Sequence, residues 1–199
     1  LEGMNISCGM RAEEGAIESF DIDDNFNLTY STINNKSAKG ICGSGLIDIA
    51  ASLVKRNVIL STGRFNKELQ NKLKDRIRDK KFYITDNVYI SQKDIRQIQL
   101  AKAAISSGIT MLLNQININI ESIEEIVIAG AFGYHINSES IKEIGLIPKG
   151  FNHQINFVGN SAIEGAKIAL INENKLNEMS TIKNNIKIVE LSTRDDFQD

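Results

Sequence analysis

The sequence has 199 residues, of which 42% are hydrophobic and 24% charged, with a formal net charge of −2 and a pI near 5.8. This length fits one globular domain or two small ones, and the composition is typical of a globular protein. Basic residues are interleaved with acidic ones, which argues against a nucleic-acid partner. No apolar run approaches the roughly 20 residues that span a bilayer. We therefore expect a cytoplasmic protein without membrane contact.

The first predicted element is a β-hairpin. From Gly15 to Ile33, apolar and polar residues alternate on both sides of an Asp/Asn-rich turn, which is typical of two paired strands. The glycine-rich stretch KGICGSG follows, and apolar residues at helical spacing then predict an amphipathic helix that begins near Ser44. The polar and charged segment after this helix, residues 62–90, is predicted to be a surface excursion with some helix.

The middle of the chain predicts a long helix, a buried strand and a short helix. Ser91 and Asp94 resemble a capping box that opens a helix ending near Gln115. Four consecutive apolar residues then predict a strand over Glu125–Ala129. The segment NSESIKEIG predicts a short helix, capped by its first asparagine and ended by its last glycine.

The last part of the chain reads INFVGNSAIEGAKIALINEN, which predicts a strand, a glycine turn and a helix. Ser161 and Glu164 form a second candidate capping box. The segment IKIVEL, residues 186–191, is predicted to be a closing strand. A hairpin followed by repeated helix–strand alternation predicts an α/β fold with a mixed sheet and flanking helices.

Three glycine-rich turns lie at predicted strand–helix junctions: Lys39–Gly45, Ala129–Gly133 and Val158–Gly165. Glycine leaves no Cβ in the way, so its backbone can approach a phosphate or a base, and a helix N-terminus adds a partial positive charge. Each turn alone is equally consistent with an ordinary tight turn. None has the spacing of the dinucleotide or P-loop fingerprints.

No catalytic or metal-binding constellation is evident. The two histidines are isolated in the sequence. The two cysteines, Cys8 and Cys42, are far apart and lack the close spacing of metal sites, so we expect both to be reduced and structural. We therefore assign no catalytic residue and no metal ligand within these residues.

Six segments in this order resemble the C-terminal region of the ferredoxin-fused reductive activators of corrinoid-dependent proteins: NISCGMRAEEGAIESF, KGICGSGLIDIAASLV, ISQKDIRQIQLAKAAISSGI, IEEIVIAGAFGYHI, FVGNSAIEGAKIAL and VELST. These activators belong to the superfamily of actin, heat-shock ATPases and sugar kinases. The resemblance extends from Asn5 to about Phe197.

The resemblance implies a ribonuclease H-like, actin-like half-domain that spans residues 1–199 as a single ATPase subdomain, a piece of a longer multidomain protein. The expected cofactor is ATP with Mg²⁺, bound between two actin-like halves in the full-length protein. A [2Fe–2S] cluster is implied for the ferredoxin domain of the parent protein, outside this chain. The implied partner is a corrinoid protein of a methyltransferase system, which the parent reduces from Co(II) to Co(I); a homodimer is also compatible with the resemblance.

The turn AGAFG is similar to the superfamily's adenosine motif. The resemblance therefore implies nucleotide contacts at four residues of this turn, with three residues of KGICGSG as a second set: Gly130, Ala131, Phe132, Gly133, Gly43, Ser44 and Gly45. The superfamily's first phosphate motif, Asp-x-Gly-Thr, does not occur in this sequence. We therefore expect these residues alone to bind ATP weakly and to be inactive in its hydrolysis.

Two other interpretations stay open. In the first, the chain is a docking module for a corrinoid protein, or pairs with itself, and its glycines serve packing alone. In the second, it belongs to an activator of a 2-hydroxyacyl dehydratase, an ATPase relative that holds a [4Fe–4S] cluster between subunits. The isolated positions of Cys8 and Cys42 offer little support for the second.

Overall fold

A computed structural model describes residues 5–130 and 136–191. The chain divides into two compact units, one formed by residues 1–106 and 135–149, the other by residues 107–134 and 150–199. The first unit contains strands β1 (Ala16–Ile22), β2 (Leu28–Thr32), β3 (Gly40–Ile41), β4 (Ile77–Arg78), β5 (Lys81–Tyr83) and β6 (Tyr89–Ser91), and helices α1 (Gly43–Lys55), α2 (Lys67–Gln70) and α4 (Ser138–Ile144). Helix α3 (Gln92–Gln115) begins in the first unit and ends in the second.

The predicted hairpin is confirmed and forms the first sheet. Strands β1 and β2 pair antiparallel, with Ile22 opposite Leu28. The turn is closed by Asp23, whose Oδ1 accepts hydrogen bonds from the backbone N–H groups of Asn25 and Asn27, each at 2.8 Å. Strand β3 joins β1 in parallel, so this three-stranded sheet is mixed, as expected.

Helix α1 packs its apolar face on β1 and forms the centre of the first core. The close approach is made at Gly45, where a Cβ would lie 2.1 Å from the carbonyl oxygen of Ile17. The fully buried side chains around this contact come from β1, β3, α1 and β6: Ile17, Ile22, Ile41, Leu46, Ile49, Leu53 and Ile90. The apolar faces of the helix and the sheet therefore enclose one hydrophobic core, which is the main stabilising contact of this unit.

The segment 62–90, predicted as a surface excursion, contributes to that same core. It contains the short helix α2 and a second sheet, in which β5 pairs antiparallel with β4 and with β6. Its buried apolar side chains are Phe65, Leu73, Ile77, Phe82, Ile84, Val88 and Ile90. The charged residues of this segment lie between these buried positions. The segment is therefore rich in charged residues, and its apolar side chains still pack into the core.

The predicted capping box at the start of α3 is confirmed. The Oδ2 of Asp94 accepts from the backbone N–H of Ser91 at 2.7 Å, and the Oγ of Ser91 accepts from the backbone N–H of Asp94 at 3.2 Å. Asp94 is 1% exposed, and its Oδ1 also accepts from the backbone N–H of Ser7 at 2.8 Å. The carboxylate of Asp94 thus caps helix α3 and also binds the backbone of Ser7 near the start of the chain.

Helix α4 also follows its predicted limits. The side chain of Asn137 accepts a hydrogen bond from the backbone N–H of Glu139, and Gly145 ends the helix in the left-handed conformation with φ of 72°. None of the helices within the described residues is long and apolar enough to cross a membrane.

The second unit contains a two-stranded parallel sheet and two further helices. Strand β7 (Glu125–Ala129) pairs in register with β8 (Gln154–Val158), and helices α5 (Ser161–Ile171) and α6 (Glu173–Asn185) follow. The limits of β7 agree with the prediction, but the expected burial is wrong, because each residue of this strand is exposed or half-buried. Strands β7 and β8 and helices α5 and α6 all carry exposed apolar side chains, among them Leu170 at 86%.

Two predictions for this unit are wrong. The cap of α5 is Asn160, whose Oδ1 accepts from the backbone N–H of Ile163 at 3.1 Å, and Ser161 is already the first helical residue. The predicted closing strand is not formed over residues 186–190, which have no regular secondary structure. Ile188 in this segment is 89% exposed.

Candidate functional site

The ends of β7 and β8 bring two glycines together. The backbone N–H of Gly130 donates a hydrogen bond to the carbonyl oxygen of Gly159 at 2.7 Å. Gly130 has φ of 112°, a conformation that residues with a side chain rarely adopt. A Cβ built on either glycine would meet none of the atoms of the described residues within 4 Å, its chain neighbours aside. Among the described residues, no side chain therefore covers the backbone of these two glycines at this edge of the sheet.

Helix α5 begins directly behind these glycines. The backbone N–H of Ser161 donates to the carbonyl oxygen of Gly159 at 3.0 Å, and the side chain of Asn160 caps the first turn. The N-terminus of a helix carries about half a positive charge. The strand ends and the helix start therefore combine open backbone with a partial positive charge, at the carboxyl edge of a parallel pair, where α/β proteins bind ligands.

Four of the seven residues predicted to contact a nucleotide lie in this turn, but only Gly130 can be located. Ala131, Phe132 and Gly133 fall outside the described residues. Gly159, which the prediction left out, is the direct neighbour of Gly130. The VGNSAIEG motif in the sequence contains it, and the parallel pairing of β7 with β8 explains why both turns meet at one edge.

The second predicted set, Gly43, Ser44 and Gly45, lies in the first unit at the start of α1, and all three residues are buried. Gly45 permits the contact between α1 and β1 described above. The Oγ of Ser44 lies 3.4 Å from the sulfur of Cys42, which in turn donates to the carbonyl oxygen of Ile17 at 3.2 Å. This turn has a packing role in the structure, and its contact with a nucleotide stays a prediction.

A polar cleft in the first unit was not predicted from the sequence. It has a volume of about 510 Å³ and lies between the β1–β2 hairpin and helices α1 and α4. At its base the Oγ of Ser140 donates to Oδ1 of Asp48 at 2.6 Å, and both residues are buried. Burial raises the pKa of Asp48, and the nearby charge of Asp21 acts in the same direction, against the hydrogen bond from Ser140. The sequence feature that could have indicated this cleft is an acidic residue, Asp48, between two isoleucines of α1.

Both cysteines are free thiols. Cys42 is buried at the start of α1, and Cys8 is half-buried, with its sulfur donating to the carbonyl oxygen of Asn87 at 3.7 Å. Within residues 5–130 and 136–191, no three His, Cys, Asp or Glu side chains are grouped so that they could hold a metal ion.

Known proteins resemble this chain over its full length. All of residues 1–199 match a family described as the C-terminal domain of RACo, the ASKHA domain. The chain is 34% identical to the corrinoid activation enzyme RamQ of Eubacterium limosum, over 99% of this chain and 36% of RamQ. It is 24% identical to the Co(II) methylated amine-specific corrinoid protein reductase of Methanosarcina barkeri, over 94% of this chain and 36% of that protein.

A solved structure agrees with these matches. The reductive activator for corrinoid, iron–sulfur protein superposes with a TM-score of 0.86 and 33% identity, over 99% of this chain and 33% of the activator. The chain thus spans about a third of the length of the relatives that it matches. The predicted α/β, actin-like fold class is confirmed by this superposition and by the family match. The chain belongs to the family of RACo C-terminal domains, which are ASKHA domains.

Proposed function

We propose that this chain is the nucleotide-binding half of an ATP-dependent reductive activator, which returns the cobalt of a corrinoid protein from Co(II) to Co(I). The observation that carries the proposal is the pair of open glycines, Gly130 and Gly159, at one strand edge of an ASKHA domain. The names of RamQ and of the two other relatives, all of them activators or reductases of corrinoid proteins, support the corrinoid partner.

The residues at this edge fit a nucleotide in three respects. Gly130 and Gly159 leave space where a side chain would otherwise stand, so a flat base or ribose can lie against backbone. The start of α5 offers a partial positive charge to an anionic group. The neighbouring Ala131, Phe132 and Gly133 are part of the proposed contact by their place in the adenosine-like motif. No residue of this chain is proposed to hold Mg²⁺.

The chemistry of the reaction requires an electron that these residues do not supply. Reduction of Co(II) to Co(I) takes one electron, and ATP provides free energy for the transfer. A [2Fe–2S] cluster is held by four ligands, usually cysteine thiolates, whereas this sequence contains two cysteines. We therefore place the electron donor in another part of the full-length protein, in keeping with the ferredoxin domain implied by the resemblance.

Calorimetry with a non-hydrolysable ATP analogue tests the proposal. We expect weak but measurable binding to the 199-residue chain. The Gly130→Ala variant should weaken binding about tenfold, because a side chain at φ of 112° strains or shifts the backbone that the nucleotide contacts. The control is Gly145→Ala, which places the same change at a positive φ in the cap of α4, a helix of the first unit. Equal effects of the two variants would contradict a local role for Gly130.

The alternative is a docking module in which the glycines serve packing alone. The observation that favours it is the buried position of Gly43, Ser44 and Gly45, which have structural reasons to be small. This alternative predicts no heat of binding with any ATP analogue, while the chain still associates with its corrinoid protein. Binding of the analogue to wild type would exclude it.

A further inference from the structure

The polar cleft of the first unit has an asymmetric charge. Its side chains include four carboxylates and one ammonium group: Asp21, Asp48, Glu139, Glu143 and Lys55. Asp48 lies at the base and is 7% exposed, whereas the other three acids and the lysine are exposed around the mouth. Lys142, outside the cleft, pairs with Glu139 at 3.5 Å. Within the described residues, neither Glu143 nor Lys55 forms an ion pair, so the cleft keeps an excess of negative charge.

Hydroxyl groups fix the carboxylates in place. Ser140 donates to Asp48, and the Oγ of Ser52 donates to Oδ1 of Asp21 at 3.2 Å. Across the strands, the hydroxyls of Ser19 and Ser31 lie 2.6 Å apart. Side chains that are already ordered lose little conformational entropy when a ligand arrives, which is the general advantage of a preorganised site.

The base of the cleft contains a buried carboxylate without a counter-charge among the described residues. Buried charges in proteins are usually paired, because removing a charge from water costs free energy that hydrogen bonds alone repay only in part. Asp48 accepts hydrogen bonds from the hydroxyl of Ser140 and from the backbone N–H of Phe20, and no cation among the described residues lies beside it. A cation that entered the cleft would supply the missing partner.

An aromatic ring stands at the mouth of the cleft. Tyr30 on β2 lines the cleft and is 43% exposed. Tyrosine at a surface is enriched in protein interfaces, and its ring face attracts cations, guanidinium groups above all. The ring and the carboxylates that line the cleft therefore favour the same kind of group.

We propose that this cleft is a docking site for an arginine side chain of a protein partner. A guanidinium matches a carboxylate with two parallel hydrogen bonds and stacks on an aromatic ring, whereas an ammonium group does neither as well. The volume of about 510 Å³ lies within the usual range of ligand pockets and leaves room for the residues that flank the arginine. The site is independent of the proposed nucleotide edge, so either proposal can fail without the other.

The test uses a capped glycine–arginine–glycine peptide as the probe, with citrulline in place of arginine as its uncharged isostere. In NMR titrations of the 199-residue chain, we expect shifts at the amides of Tyr30, Ser31 and Ser140, and binding of the arginine peptide about tenfold tighter than of the citrulline peptide. Equal binding of the two peptides, or shifts confined to other regions, would overturn the proposal. A lysine peptide or spermidine that binds as tightly as the arginine peptide would also overturn it.

Surface variants test the residues one group at a time without touching the buried base. The double change Glu139→Gln and Glu143→Gln should weaken the arginine peptide about fivefold, and Tyr30→Ala about threefold. Lys55→Gln should strengthen it about twofold, because a repelling charge is removed. Glu68→Gln, an exposed acid of α2 outside the cleft, is the control and should change nothing. Identical affinities for the double variant and this control would contradict the assignment.

Discussion

The hydroxyl of Ser140 donates a 2.6 Å hydrogen bond to the carboxylate of Asp48, although 92 residues separate them in the chain. The bond joins helix α4 to helix α1 at a point where both side chains are buried. The same two helices also meet through apolar side chains, which include Leu46, Ile47 and Ile144. A polar bond inside an apolar contact fixes which residues of the two helices face each other, because any shift would leave a buried group without its partner.

The first prediction concerns the pH dependence that Asp48 gives to stability. Its folded-state pKa lies above the usual 3.8. Its contribution to the free energy of unfolding is therefore fully present below pH 3.8 and is lost as pH rises through the folded-state pKa. An asparagine at this position would not titrate. We expect Asp48→Asn to become progressively more stable relative to wild type as pH rises from 3.8 through the folded-state pKa of Asp48, as measured by urea unfolding.

Asp23 provides a control with the opposite sign. Hydrogen bonds from Asn27 lower the pKa of Asp23, so its stabilising contribution is present above pH 3.8 and is lost as pH falls through the lower value. Asp23→Asn should therefore lose stability relative to wild type as pH rises over its titration range. The same slope for both variants would show that the pH effect does not come from these two sites.

The second prediction separates a packing glycine from an open one. Gly45→Ala should reduce the free energy of unfolding by about 3 kcal/mol, because its Cβ would lie 2.1 Å from the carbonyl oxygen of Ile17 and force α1 away from β1. Gly159→Ala, where a Cβ meets nothing within 4 Å, should change stability by less than about 0.5 kcal/mol. Urea unfolding of the two variants measures both values. A neutral Gly45→Ala would mean that helix and strand can separate freely.

The third prediction concerns the buried carboxylate that caps α3. Asp94 accepts hydrogen bonds from the backbone N–H groups of Ser7 and Ser91 and from both of their hydroxyls. Asp94→Ala leaves these donors unpaired and should cost about 3 kcal/mol of stability. Asp94→Asn, which keeps one accepting oxygen, should cost less. Chemical denaturation with hydrogen exchange at the first turn of α3 checks both.

Asn66→Ala is the matched control for that cap. Asn66 accepts one hydrogen bond at the start of the short, exposed helix α2, from the backbone N–H of Glu68 at 3.0 Å. Its removal should cost about 1 kcal/mol. A loss for Asp94→Ala as small as that for Asn66→Ala would show that the long-range bond to Ser7 contributes nothing.

The fourth prediction concerns ATP hydrolysis. The 199-residue chain should bind an ATP analogue but show no Mg²⁺-dependent release of phosphate, because the described residues of the proposed nucleotide edge offer backbone and a helix start without a group of metal ligands. A phosphate-release assay measures this, with the analogue titration on the same sample as the control for folding. Robust hydrolysis by these residues alone would contradict the proposal that they form one half of a shared site.

Features that depend on neighbours in sequence were predicted well. The Asp23 turn, the Ser91–Asp94 cap, and the asparagine and glycine that bound α4 are each set within a few residues, so their side chains suffice to identify them. The limits of strand β7 were also predicted correctly, because a short run of apolar residues between polar segments is typical of a strand.

Features that depend on distant contacts were not predictable in this way. The many charged residues of segment 62–90 gave no sign of its seven buried apolar residues, since burial depends on which other elements the segment contacts. Asn160 and Ser161 are both good caps, and only the geometry shows which one is used. The cleft around Asp48 required four elements to converge. Of the proposed nucleotide edge, the sequence indicated Gly130, while its pairing with Gly159 required the strand register.

The parallel pair of β7 and β8 has one more consequence. Within the described residues each of these strands pairs with the other alone, so each presents one outer row of backbone N–H and C=O groups to its surroundings. Val127 and Val158 add exposed apolar surface on the same two strands. Such a strand edge is a template on which another extended chain can be added by hydrogen bonding. Concentrated solutions of these 199 residues should therefore be prone to self-association through this edge, and a lysine introduced at Val127 should suppress it.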